Sequence, residues 1–318
     1  MLQDLQVLEI PTKTNFRGIS TREIAIFHGP NGWSEFSPFI EYGDAEAKVW
    51  LKAALEGAYK PHPKLVREKI AINATLPKVE VSKVEEILNL YPGAKVVKIK
   101  FDDFSQDAIL IEKVLEILPQ ARIRLDINGG WSLDSARKNL DLILAKYLQF
   151  IDYFEQPCER LSELKTLKSE FGIKIAADES IRKNLDSDLS TLREYVDIAI
   201  IKWQPIGGFT AAQDLVKLIG LPVVVSSALE SGIGISKGLE LAGALDVELA
   251  CGLGTVGLLE SDIVNEPLEI VNGEIAISPR TLNSKAIEKF QASEERRAWW
   301  ISRISRIMES GGFDEYLN

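Results

Sequence analysis

The chain changes its hydrophobic rhythm near residue 60. Before that point, residues 3–10 and 23–27 form apolar runs of strand length, and 32–36 form a third. The cluster His28-Gly29-Pro30-Asn31-Gly32 separates the last two and predicts a hairpin turn, followed by a loop around Ser37-Pro38-Phe39. Residues 44–58 then place Val49, Leu51, Ala54 and Leu55 at helical spacing. This pattern predicts a small α+β domain over residues 1–63, closed by Lys60-Pro61-His62-Pro63.

From about residue 68 strand-like and helix-like stretches alternate with a period of roughly 25 residues, the spacing of βα units on a parallel sheet. Candidate strands are 69–74, 95–100, 122–126, 150–155, 174–178, 197–202, 221–226 and 247–251, with helical patterns at 81–91, 105–118, 133–146 and 161–171. Eight such strands favour a closed α/β barrel of the TIM type over residues 64–265; an open doubly wound sheet is the alternative. Residues 284–310 carry Ile287, Phe290, Trp299, Ile301 and Ile304 at helical spacing. They predict a C-terminal segment, 266–318, that packs back on the body, with Trp299-Trp300 as packing residues.

Composition narrows the function classes. Of 318 residues, 46% are apolar, enough for a large core. The formal net charge of -10 argues against a general nucleic-acid binder. It leaves small anionic substrates open, because a local cationic site fits inside an acidic protein. The two cysteines, Cys158 and Cys251, lie far apart and lack zinc-ligand spacing. The N-terminus lacks a basic segment followed by an apolar stretch, and no segment is apolar for long enough to span a bilayer. The expectation is a cytoplasmic, reduced protein without a membrane partner.

The chemistry lies at the strand ends. Asp126 closes Ile123-Arg124-Leu125-Asp126, Glu155 closes the run from Phe150, and Asp178 closes the run from Ile173. Lys98-Ile99-Lys100 precedes these acids and Ile200-Ile201-Lys202 follows them. Lys98 and Lys100, two apart on a strand, share one face. A lone pair of this kind is ordinarily a solvated face. Here the next four strands also end in a charge, and the mouth of a barrel is where strand ends converge. Neighbouring strands lie about 4.8 Å apart, so three terminal carboxylates can meet one cation. Hard oxygen ligands suit magnesium, and manganese is the expected substitute. The alternative for any single acid is a structural ion pair. A lysine beside a metal and a second cation becomes a competent base, and a metal with a lysine can remove a proton next to a carboxylate.

The order KxK, Asp, Glu, Asp, Lys resembles the muconate-lactonizing-type branch of the enolase superfamily. The segment 28–39 followed by Glu41-Tyr42 is similar to the capping-domain signature of o-succinylbenzoate synthases, the actinobacterial ones above all. So are Glu155-Gln156-Pro157-Cys158, the segment 176–182, Ser226-Ser227-Ala228-Leu229-Glu230-Ser231 and Cys251-Gly252-Leu253-Gly254-Thr255. Ser34 stands where that pattern has glycine. The resemblance covers all but the C-terminal tail. It implies a (β/α)7β barrel with an N-terminal α+β capping domain, and magnesium on Asp126, Glu155 and Asp178. The implied reaction is syn dehydration of 2-succinyl-6-hydroxy-2,4-cyclohexadiene-1-carboxylate in menaquinone biosynthesis. Lys100 would remove the proton next to the ring carboxylate and then return it to the departing hydroxyl. Lys202, with the metal, would hold the enediolate, and Lys98 would tune Lys100 or support the carboxylate.

Ser226, Ser227 and Leu229 are expected to meet the succinyl arm. Gly207-Gly208 would leave room for substrate or simply make a helix-entry turn, and Gly254 would allow close backbone approach to substrate. The loop at Arg17-Gly18 would be a lid or an ordinary turn. The partner is a small-molecule carboxylate, and the expected state is a monomer. The alternatives are a racemase or epimerase of the same branch acting on N-acylamino acids or dipeptides, with two lysine bases, and a non-catalytic anion- or sugar-binding barrel. Gly252-Leu253-Gly254-Thr255-Val256-Gly257 fits a dinucleotide fingerprint, but no βαβ unit follows it. His28 and His62 pair with no nucleophile.

Overall fold

The structure, a computed structural model, describes residues 2–16 and 18–317; the lid expectation at Arg17 lies outside them. Strands β1 (Gln3–Phe16), β2 (Ile19–Gly29) and β3 (Gly32–Phe36) form an antiparallel sheet in the order β1-β2-β3. The β2–β3 hairpin turns on Pro30 and Asn31, with Gly29 opposite Gly32. Helix α1 (Asp44–Tyr59) lies on this sheet and buries Trp50, Leu51, Ala54 and Leu55 against Phe27 and Phe36. Each large side chain so buried contributes about 1.5–3 kcal/mol. Gly29 has to be glycine: a Cβ there would lie 2.4 Å from the Ala58 carbonyl oxygen.

After β4 (Lys69–Ala71), the barrel strands are β5 (Ala74–Leu76), β6 (Val96–Lys100), β7 (Arg122–Asp126), β8 (Ile151–Glu155), β9 (Ile175–Ala177), β10 (Ile198–Lys202) and β11 (Val223–Ser226). Strands β5 to β11 pair in parallel and in chain order. Cys251 and Gly252 close the ring. The Cys251 N–H donates to the Ala71 carbonyl at 2.7 Å, and the Gly252 N–H donates to that of Val225 at 2.9 Å. The expected first strand, 69–74, is divided: β4 pairs antiparallel with β12 (Glu274–Ala276), and only β5 joins the barrel. The expected last strand, 247–251, shrinks to this two-residue closure.

Helices α2 (Val84–Leu88), α3 (Phe104–Ile117), α4 (Leu133–Tyr147), α5 (Leu161–Phe171), α6 (Glu179–Arg182), α7 (Trp203–Ile206), α8 (Phe209–Ile219) and α9 (Gly232–Ala244) follow successive strands. Ile99, Leu125, Phe154, Ala177, Ile201 and Val225 point outward into the large core shared with these helices. Their neighbours one residue away therefore face the barrel interior. Low in that interior Tyr153, Ala176, Ile198, Ile200 and Val224 form a separate apolar cluster. After α10 (Ser284–Lys289), α11 (Glu294–Glu309) returns to α1 and β1, and α12 (Asp314–Leu317) ends the described chain. Trp300 is buried edge-on to Phe36 at 5.7 Å and donates from Nε1 to Glu23 at 2.7 Å. Among the described residues no helix is long and apolar enough to cross a membrane.

Candidate active site

The register sets the site. Lys100 lies level with Asp126, and Asp126 level with Glu155. Glu155 is level with Ala176, two residues before Asp178, and Ala177 is level with Ala199, three before Lys202. The charged side chains thus climb around the mouth as the chain advances, all in the inward phase. Asp126, Glu155 and Asp178 are each at most 2% exposed. Lys98, Lys100, Asp126 and Lys202 line one cavity with Phe39, Thr75, Asn128, Glu179, Arg182, Ser226, Ser227, Ala228 and Thr255. Its empty volume is about 480 Å³, the open mouth included.

Each acid is drawn to an ammonium. Lys98 Nζ lies 3.0 Å from Asp126 Oδ2 and 3.0 Å from Glu155 Oε1. Lys100 Nζ donates to Asp126 Oδ2 at 2.5 Å and to Asn128 Oδ1 at 2.7 Å. Lys202 Nζ donates to Asp178 Oδ2 at 2.5 Å, and Arg182 Nε lies 3.4 Å from Asp178 Oδ1. Burial alone would raise the Asp126 carboxyl, but Lys100 and Lys98 outweigh it and hold that group well below the usual range. Burial likewise opposes Lys202 and Arg182 at Asp178, and the cations again prevail. Glu155 goes the other way: burial first, then the charge of Asp126, pushes it up to about 7. Burial works against the Lys98 ammonium too, yet Asp126 and Glu155 keep it protonated far above the ordinary lysine range.

The donor set suits a hard divalent cation. Three carboxylates arrive from adjacent strands, Asp126 Oδ1 is buried with no hydrogen-bond partner, and Glu155 resists ionising without more positive charge beside it. Among the described residues no three such side chains already converge on one point, because lysine ammoniums hold their oxygens.

Gln156 fixes the acids' backbone. Its Nε2 donates to Ser180 Oγ at 2.7 Å, and its Oε1 accepts from the N–H groups of Asp178 and Ser180, both at 3.1 Å. Beneath the site Arg124 is 1% exposed and bonded to Asp152, Asn73 and the Ala250 carbonyl, so its buried charge is paired.

Of the expected substrate contacts, the structure brings Ser226 and Ser227 to the cavity, with Ser227 Oγ 2.6 Å from Thr255 Oγ1. Leu229 is not there. It is fully buried with φ 63°, and its neighbour Ala228 lines the wall instead. Gly207 lies outside the cavity at the C-terminus of α7, and Gly208 next to it leaves room for Glu56, whose Oε2 a Cβ would meet at 2.0 Å. Here the helix-turn alternative holds. Gly254 approaches protein, not the cavity: a Cβ there would lie 2.8 Å from the Tyr91 ring. Ser34 is buried and fits because Gly57 has no side chain; a Cβ on Gly57 would lie 2.9 Å from Ser34 Oγ. His62 contacts Glu240 and Lys237, away from the cavity.

Asn128, Glu179, Arg182, Thr75, Thr255 and Phe39 had no assigned role in the sequence. Asn128 continues the inward phase of Asp126 past the strand end, which is the signal that could have found it. Glu179 and Arg182 form an i,i+3 pair at 2.8 Å on the single turn after β9. The cavity divides by chemistry. Strands β6 to β10 supply the charged groups, while β5, β11 and the loop after the closing strand supply four hydroxyls: Thr75, Ser226, Ser227 and Thr255.

Two family models match the chain: Enolase N-terminal domain-like over residues 7–58 and Enolase C-terminal domain-like over residues 83–281. Over 309 residues the chain is 41% identical to the o-succinylbenzoate synthase of Mycolicibacterium smegmatis, covering 96% of this chain and 95% of that protein. It is 40% identical to that of Mycobacterium tuberculosis, covering 96% and 93%. Among solved structures, muconate lactonizing enzyme from Pseudomonas fluorescens, complexed with muconolactone, superposes with a TM-score of 0.76 at 17% identity, covering 92% of this chain and 99% of that one. The Klebsiella pneumoniae enzyme of that name gives 0.73 at 18%, covering 92% and 100%. These two show the shared fold, a TIM-like barrel with an N-terminal cap.

Proposed function

The chain belongs to the o-succinylbenzoate synthase family of the enolase superfamily, and from that membership and the cavity's geometry we propose a reaction. The chain is a lyase of menaquinone biosynthesis that carries out the syn dehydration of 2-succinyl-6-hydroxy-2,4-cyclohexadiene-1-carboxylate to o-succinylbenzoate. The observation that supports it best is the flanking of three buried carboxylates by an ammonium on either side: Lys100 from β6 and Lys202 from β10.

Asp126, Glu155 and Asp178 would hold the magnesium ion. Bound there, it supplies positive charge to a substrate carboxylate whose oxygens become more anionic as the neighbouring carbon loses its proton. The rest is the work of the chain's own groups. Lys100 Nζ takes the proton from the ring carbon that bears the carboxylate. Lys202, from the far side of the acids, places its ammonium against the developing enediolate. The C–O bond to the ring hydroxyl then breaks, and Lys100 delivers the same proton to the leaving oxygen. Water departs and the ring gains its third double bond. One lysine serving both steps makes the elimination syn. Lys98, buried between Asp126 and Glu155, bridges the two acids and keeps them ordered. The four hydroxyls on the other half of the cavity face the succinyl arm.

The test is direct. Enzyme and magnesium added to the cyclohexadiene should remove its diene absorbance and yield o-succinylbenzoate. Unchanged absorbance, with racemisation of N-succinylamino acids instead, would make the two lysines a pair of opposed bases and overturn the dehydratase reading.

A further inference from the structure

The cap meets the barrel through a buried polar joint that the proposed chemistry does not use. Glu35, on β3, is fully buried. Its Oε2 accepts from Ser231 Oγ at 2.5 Å, from the Ser231 N–H at 3.1 Å and from the Gly234 N–H at 3.3 Å, at the start of α9. Its Oε1 accepts from Ser37 Oγ at 2.6 Å. Ser37 is held from the other side by Gln204, two residues beyond Lys202. The Ser37 N–H donates to Gln204 Oε1 at 2.9 Å, and Gln204 Nε2 donates to Ser37 Oγ at 3.0 Å. A continuous chain of hydrogen bonds thus runs from the turn after β10, through the cap, to the turn after β11.

Arg22, on β2, adds a second tie. Its Nε donates to the Leu229 carbonyl at 3.1 Å, its Nη2 donates to the Ser37 carbonyl, and its guanidinium lies 4.4 Å from the Phe39 ring centre. Both ties end where the cavity wall begins. Phe39 is two residues past Ser37, and Ser227-Ala228 immediately precede Leu229. Leu229 sits in the left-handed backbone region at φ 63°, a conformation that a leucine keeps only when its surroundings enforce it. Glu230 supplies part of that force by accepting from the Ala228 N–H at 2.6 Å.

We propose that Glu35 is a positioning residue: with Ser37 and Arg22 it locks the capping domain onto the barrel so that Phe39 and the Ser227-Ala228 wall stand at the right distance across the substrate. Its carboxyl touches no reacting atom; it acts through the two segments it joins. The site's charge balance agrees with a glutamate that tolerates neutralisation, because Glu35 and Glu230 both draw on the Arg22 guanidinium. Burial, then the charge of Glu230, pushes Glu35 up to about 7. A neutral glutamine of the same shape can therefore take its place.

The kinetic arm of the test rests on the dehydratase reading; the exchange arm does not. Amide hydrogen exchange over residues 36–42 and 226–232, and steady-state turnover, are measured for the full chain and for Glu35→Ala, Ser37→Ala and Glu35→Gln. In both alanine variants, exchange in the two segments should quicken at least about tenfold while β7 to β9 stay protected, and KM should rise about tenfold with kcat within about threefold. Glu35→Gln should restore both readouts. Unchanged exchange in Ser37→Ala, loosening spread evenly over the barrel, or failure of glutamine to rescue would each overturn the proposal. If Glu35→Ala does not fold, Ser37→Ala and Glu35→Gln decide it. Absence of turnover in the unaltered enzyme would defeat the proposed function and leave the exchange result to judge the joint.

Discussion

Gln156 holds Asp178 by its backbone: the side-chain oxygen of one accepts the N–H of the other at 3.1 Å. A residue that itself sits at positive φ, immediately after Glu155, thereby ties the end of β8 to the turn after β9. Gln156→Leu would leave the buried N–H groups of Asp178 and Ser180 without an acceptor, a cost of about 1–3 kcal/mol each. We expect magnesium affinity to fall about 10–100-fold, as when other supports of a metal ligand are removed. Calorimetric titration of the variant with magnesium checks this.

Lys100→Ala should reduce kcat by about 10²–10⁴-fold, the usual worth of a positioned acid–base group. Magnesium binding should persist, since the three carboxylates remain. Single-turnover measurement of diene loss, paired with a metal titration, separates the two effects; full activity in this variant would refute the role given to Lys100.

Chelation should abolish turnover, and added magnesium should restore it, with manganese as a working substitute. Asp178→Asn should weaken metal binding by at least about tenfold, because it removes one anionic oxygen from a set of three. Activity that survives exhaustive chelation would remove the metal from the proposed chemistry.

Glu35 makes a prediction about pH. Its carboxyl stands at about 7 in the folded chain against 4.5 as the ordinary value. Between those limits the folded state binds more proton than the unfolded one, so this group's contribution to stability declines as pH rises and levels off above about 7. Glu230 and Arg22 are the charged groups that face it. The melting temperature of Glu35→Gln, relative to the unaltered chain, should therefore climb from about pH 5 to about pH 8. A constant difference across that range would contradict the assignment.

The strands and helices whose partners are near in sequence were legible from residue pattern alone. The helix expected at 161–171 occupies those residues, stopped by Gly172 in the left-handed region. The convergence of Lys98, Lys100, Lys202 and the three acids was legible because period-two alternation and strand-end position together put them in one place. The division of 69–74 was not, since β4 finds its partner about two hundred residues later, at Glu274–Ala276. Leu229 was misplaced because its backbone conformation turns it away from the phase of Ser226. Glu35 and Gln204 gave no local signal: their meaning arises only when the cap is docked.

The split of the cavity into a charged side and a hydroxyl side has a consequence for inheritance. The charged groups come from one uninterrupted stretch of chain, residues 98–202, whereas the hydroxyl side is assembled from Thr75 and from Ser226, Ser227 and Thr255. On the proposed assignment, mutation on the hydroxyl side would remodel which molecules are admitted without touching the residues given the proton transfer. A descendant could thus acquire a different substrate through a few changes at those distant positions and keep its ancestral chemistry whole.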